Sequence, residues 1–173
     1  MKTILNMIKS RPTKTILAGF VLILMTLFYT STPLRADEKH NQMAQTIINL
    51  MKTNQRWIEI DLSRQRLVAW EGSKLVYAVI VSTGKPSTPT RVGTFKIQTK
   101  YVKTRMIGEG YDFAEVPYTM YYDGGMAIHG AYWHNLFGNA VTHGCTNVAV
   151  NHAKWLFEWA DIGTPVVVHQ SEN

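Results

Sequence analysis

"RWIEIDLSRQRLVAWEGSKLVYAVIVST", residues 56–83, decides how the rest of the chain is read. Ile58, Ile60 and Leu62 alternate with Glu59 and Asp61, the period-two pattern of a strand with one face buried. "SRQ" interrupts the pattern and "RLVAWE" resumes it. Gly72-Ser73 then predicts a hairpin turn into "KLVYAVIVST". Pro86 and Pro89 mark the following segment as loop.

The same period continues downstream. "GTFKIQTKYV" (93–102) predicts one strand, with Thr94, Lys96, Gln98 and Lys100 on one face and Phe95, Ile97, Thr99 and Tyr101 on the other. "YTMYY", the "DGG" turn at 123–125 and "MAIH" predict a hairpin ending at His129. "NHAKWLFEWA" (151–160) changes to helical spacing, with Trp155/Trp159 and Leu156/Ala160 at i, i+4. The tryptophan pair is read as core. "TPVVVH" returns to strand. Short strands with one helix predict a mainly β, single-domain sandwich or barrel-like fold over residues 55–170.

The N-terminus has another character. Lys2, Lys9, Arg11 and Lys14 precede the apolar run "ILAGFVLILMTLF" (16–28), and small Ala36 follows a polar stretch. This predicts a secretory signal peptide over residues 1–36, with an uncleaved membrane anchor as the alternative. Residues 37–54 are expected to form a spacer or short helix. Without the leader the chain has 13 basic against 12 acidic residues, so the overall charge of +6 belongs largely to the leader. Such a balance gives no support for nucleic-acid binding. Contact with a membrane is expected only if the leader is retained. The stretch 81–108 is basic and lacks acids, which fits either a solvated face or an anion-facing one.

"AVTHGCTNVAV" (140–150) holds the single cysteine, Cys145, sixteen positions after His129. In an exported chain a lone cysteine makes an intermolecular bridge or stays a free thiol. His129, His134, His143, Cys145 and His152 offer zinc-ligand chemistry, but their spacing matches no compact zinc pattern. An inert core thiol fits poorly beside His, Gly, Thr and Asn. A nucleophile fits better, activated by a histidine brought close and by a helix N-terminus that lowers its pKa. His129 at a strand end and Cys145 in the loop before the helix are expected to stay accessible. The amides of residues 143–145 are expected to converge on an oxyanion.

His129 followed by "THGCTN" (142–147) resembles the signature of the L,D-transpeptidase catalytic domain family, the YkuD-type fold. "STGKPSTPTRVGTFKI" (82–97) and "VPYTMYYDGGMAIHG" (116–130) are similar to its supporting segments. The resemblance implies a mainly β fold with one short helix after the catalytic cysteine. It implies that Cys145 is the nucleophile, His129 its proton-transfer partner and Gly130 the carbonyl that orients the imidazole. His143 and Gly144 would border the oxyanion hole, and Asn147 and Thr142 would bind substrate. Asn147 stands where many members carry Arg and others Asn; Thr146 is polar where an apolar residue is usual. The implied partners are peptidoglycan stem peptides, with carbapenems as covalent inhibitors and no metal or organic cofactor. The implied reaction releases D-alanine from a tetrapeptide stem through an acyl-enzyme and passes the acyl group to an amine. A wall hydrolase and a non-catalytic wall-binding domain are the alternatives.

Overall fold

The computed structural model describes residues 31–171. Residues 1–30, and with them most of the expected leader, lie outside the described residues. The chain divides into two units, residues 1–41 and 42–173. The described part of the first unit is helical, the opening turns of α1 (Ser31–Met51). Among the described residues no helix is long and apolar enough to cross a membrane.

Two sheets build the second unit. One contains β1 (Arg56–Asp61), β2 (Arg66–Glu71), β3 (Lys74–Ile80), β4 (Gly93–Lys96) and β9 (Pro165–His169), in the order β3-β2-β1-β9-β4. The other contains β5 (Thr99–Gly108), β6 (Tyr111–Asp123), β7 (Met126–Gly130) and β8 (Thr146–Val148), in the order β5-β6-β7-β8. Helix α2 (Val150–Trp159) packs on β6 and β7. The mainly β architecture read from the sequence, sandwich or barrel-like, is observed here as two sheets.

Ile58, Ile60, Leu67, Val166 and Val168 meet Met120, Tyr122, Ile128, Val148 and Leu156 in one core. The central strands are covered on their other face too. Trp57 and Val167 pack against Met43 and Leu50, which lie seven residues apart on α1. Double coverage explains why "VVV" at 166–168 is a continuous apolar run rather than an alternating one. Trp57 is fully buried and its Nε1–H donates to Gly72 O at 2.9 Å, so the ring buries no unpaired donor.

One expected strand is two. The chain runs in β4 beside β9 and then crosses to the other sheet, where β5 pairs with β6. At the crossing Ile97 N–H donates to Thr164 O and Gln98 N–H to Tyr121 O, both below 3 Å. Every amide stays paired, and Ile97 remains buried in the core, so no Gly or Pro marks the corner. β5 and β6 then extend as a long hairpin past Gly108, where the sequence shows no clean alternation. Glu115 and Tyr118 take positive φ of 51° and 54° within β6. Lys100, expected on a plain strand face, donates to the carbonyls of Phe157 (2.6 Å) and Ala160 at the C-terminal end of α2.

Candidate active site

β7 and β8 are parallel neighbours, with Ile128 beside Thr146, His129 beside Asn147 and Gly130 beside Val148. Parallel partners share a face, so His129 and Asn147 stand side by side. Cys145 is the residue just before β8, in the bend that follows Gly144, and it lines the same cleft as His129. His129, Cys145, Asn147, Thr142 and His143 all line one cleft of about 200 Å³. The register between these two consecutive strands therefore helps assemble the site. β8 itself was not legible: "TNV" is three residues, read as loop leading directly into the helix.

His129 lies inside β7 and is only 2% exposed, rather than accessible at a strand end. Its Nδ1 is 3.1 Å from the Gly130 carbonyl. A carbonyl only accepts, so Nδ1 carries the proton and Nε2 is left as the basic nitrogen. Burial pushes the imidazole pKa down to about 4, against the Gly130 hydrogen bond, which raises it. Residue 130 has to be glycine for packing, since a Cβ there would sit 2.9 Å from Pro117 Cγ.

Cys145 is half-buried, with Sγ 3.6 Å from Gly125 O. Burial pushes the thiol pKa up, and a backbone hydrogen bond from Ala127 offsets this only partly. The expected lowering by a helix N-terminus does not occur because β8 separates Cys145 from α2. The sulfur's surroundings are also more apolar than its sequence neighbours suggested. Met106, Val116 and Ala127 form a cluster against which Phe113, Trp133 and Cys145 pack.

The 142–145 loop is held by its own hydrogen bonds. Thr142 Oγ1 donates to Cys145 O (2.6 Å) and accepts from Gly144 N–H (3.1 Å). The Thr142 hydroxyl and the Gly144 amide are therefore engaged within the turn. Gly144 has φ +120°, a conformation that L side chains rarely adopt. Thr90 Oγ1 donates to Gly144 O at 2.8 Å and accepts from Gly84 N–H, tying the proline-bearing loop to the turn. His143 is exposed on the rim, 3.5 Å from Lys85 Nζ and against the Tyr111 ring.

Several cleft residues had no sequence signal for this site. Met106, Tyr111 and Phe113 arrive on the β5–β6 hairpin. Phe113 stacks on Trp133 at 3.9 Å, and Trp133 lies 5.7 Å from the His129 ring. His134, noted only as a weak zinc candidate, contacts Asn147 at 2.9 Å. His152 is elsewhere, paired with Tyr77 at 2.5 Å. Among the described residues no three His, Cys, Asp or Glu side chains converge as a metal site.

A cysteine and a carbonyl-oriented histidine lining one cleft make a site suited to covalent acyl chemistry. The family model of the L,D-transpeptidase catalytic domain (YkuD) matches residues 55–168, and the chain belongs to this family. Over 99 residues it is 34% identical to L,D-transpeptidase 1 of Mycobacterium tuberculosis (strain ATCC 25618 / H37Rv), covering 50% of this chain and 39% of that protein. The chain thus spans well under half the length of this curated relative. The catalytic domain of the E. faecium L,D-transpeptidase is similar in structure, with TM-score 0.61 and 30% identity over 68% of this chain and 99% of that one. So is the Ldtfm–avibactam carbamoyl enzyme, with TM-score 0.63 and 31% identity over 68% of this chain and 49% of that one.

Proposed function

We propose that this chain is a cysteine L,D-transpeptidase acting on peptidoglycan tetrapeptide stems, with Cys145 as nucleophile and His129 as general base and acid. The observation that carries the reading is the His129–Gly130 hydrogen bond, which leaves Nε2 free in a cleft that Cys145 also lines. Family membership supports the substrate class.

Burial disfavours both a free thiolate and an imidazolium. The resting pair is then neutral, and proton transfer accompanies attack. The Cys145 proton passes to His129 Nε2 while sulfur bonds to the carbonyl before the terminal D-alanine. The amides of His143 and Cys145 are the donors left for the oxyanion, since that of Gly144 is held by Thr142. The C–N bond breaks, His129 returns its proton to the departing D-alanine amine, and a thioester remains. An acceptor amine then gives a proton to His129 and attacks the thioester, the C–S bond breaks, and His129 returns the proton to the Cys145 sulfur. Water as acceptor would turn the same steps into a carboxypeptidase reaction.

Carbapenems are expected to acylate Cys145, because a strained lactam presents the same carbonyl to the same thiol. The avibactam carbamoyl enzyme of a relative supports covalent modification at such a site, there by a cyclic urea rather than a lactam. Intact-mass measurement should show one added drug mass, absent in Cys145→Ala. No adduct, with the thiol titrating as free, would sink the reading. We also place the activity outside the cytoplasm, on the basic and apolar leader. N-terminal sequencing of chain recovered from cells should begin near Asp37; recovery starting at Met1 in membranes would favour an anchor.

A further inference from the structure

His134 and Asn147 meet in the cleft wall at a contact whose chemistry fixes the orientation of both side chains. Asn147 Nδ2 is placed 2.9 Å from His134 Nε2. The other ring nitrogen of His134, Nδ1, accepts from Leu136 N–H at 3.1 Å. A backbone amide can only donate, so Nδ1 carries no proton, and a neutral imidazole then holds its proton on Nε2. Turning the ring over would put carbon at both contacts. Partial burial lowers the basicity of His134, which agrees with a neutral ring.

With Nε2–H donating, two donors would face each other, so the Asn147 carboxamide must be turned over to present its oxygen to the ring in place of Nδ2. Amide oxygen and nitrogen are told apart by just such bonding. The NH2 group then points the other way. That second amide position has no partner among the described residues, and it is not one of the sealed, unpartnered atoms, so it opens onto the cleft that Asn147 lines. The frame around the pair is tight. Ser82 exchanges backbone hydrogen bonds with Asn147 at 2.9 and 2.8 Å, and its hydroxyl donates to Leu136 O at 2.9 Å. One serine thus ties the Asn147 backbone to the turn that carries His134.

We propose that His134 is a positioning residue that holds the Asn147 carboxamide oxygen through Nε2–H, so that Asn147 offers its NH2 group to a carbonyl oxygen of the stem peptide. Without His134 the carboxamide is free to rotate, and half of its orientations set oxygen against the substrate's oxygen. The substrate part of this assignment builds on the function proposed above, while the orientation of the pair stands apart from it.

The test uses the full chain. Two-bond 1H–15N spectra at neutral pH, with the ring signals assigned by their loss in His134→Phe, report the His134 tautomer directly. Nε2–H is expected; Nδ1–H would overturn the proposal whatever the enzyme does. Kinetics with a tetrapeptide stem give the second arm, with thermal melting as the check on folding. His134→Gln keeps a donor near the Nε2 position and should hold KM within about threefold, whereas His134→Phe should raise it about tenfold, with the loss in KM rather than kcat. Asn147→Asp still accepts from His134 but offers no donor to substrate, and should raise KM at least as far. Unchanged KM in His134→Phe and Asn147→Asp, or an equal rise in His134→Gln and His134→Phe, would refute the positioning role. Absence of any turnover in the unaltered chain would fail the functional reading instead, and the tautomer would still decide the geometry.

Discussion

At the scale of the residue, burial favours the neutral forms of both the Cys145 thiol and the His129 imidazole. Burial holds His129 down at about 4 and the Cys145 thiol up. The thiolate fraction of Cys145 therefore grows about tenfold per pH unit through the neutral range until its raised pKa is reached. Alkylation by iodoacetamide should climb steadily from pH 6 to pH 9. A fast rate that stays flat down to pH 5 would instead mean a standing thiolate–imidazolium pair. Cys145, His129 and Asn147 were legible because they lie in one short motif and its upstream histidine. His134 was not, because its role depends on a turn that brings Nε2 back to Asn147, thirteen positions on. Tyr111 and Phe113 belong to a hairpin arm whose place over the cleft is set by strand pairing, which local sequence does not encode.

Among the elements, β1 and β9 carry the clearest pH signature. His169 Nε2 and Glu59 Oε1, on these neighbouring strands, are 2.8 Å apart. The hydrogen bond to Glu59 holds His169 above its ordinary 6.5. Burial pushes Glu59 up, but the bonds from His169 and Trp70 outweigh it and hold the carboxyl below its ordinary 4.5. The contribution of His169 is full below pH 6.5 and is lost as pH rises through its raised value. That of Glu59 is full above pH 4.5 and is lost as pH falls through its lowered value. The pair stabilises most between these limits. Chemical denaturation should show the largest gap between the unaltered chain and Glu59→Gln near pH ~5.5, narrowing toward pH ~3 and pH ~8.5. A gap that does not vary with pH would contradict the ion pair. Elements with strict period two or a helical apolar stripe were readable from sequence. The corner at Ile97 was not, since its buried side chain keeps the alternation going while its backbone changes sheets. β8 was hidden by its length of three residues.

For the whole molecule, the second sheet places the 142–147 motif beside a histidine from the strand just before it. The parallel β7–β8 register is the link between fold and chemistry. A chain that kept this fold only to bind wall material would have no need of a carbonyl-oriented imidazole in the cleft that its one thiol lines. The most direct measurement is mass analysis of products after incubating the chain with purified tetrapeptide stems. Transpeptidation predicts free D-alanine together with a dimer lighter than two stems by one D-alanine. Both products should vanish in Cys145→Ala, and in His129→Ala their rate should fall by a factor of about 10²–10⁴. D-alanine released with only tripeptide formed would make the chain a hydrolase. Intact stems after incubation with folded protein whose thiol titrates as free would contradict the account.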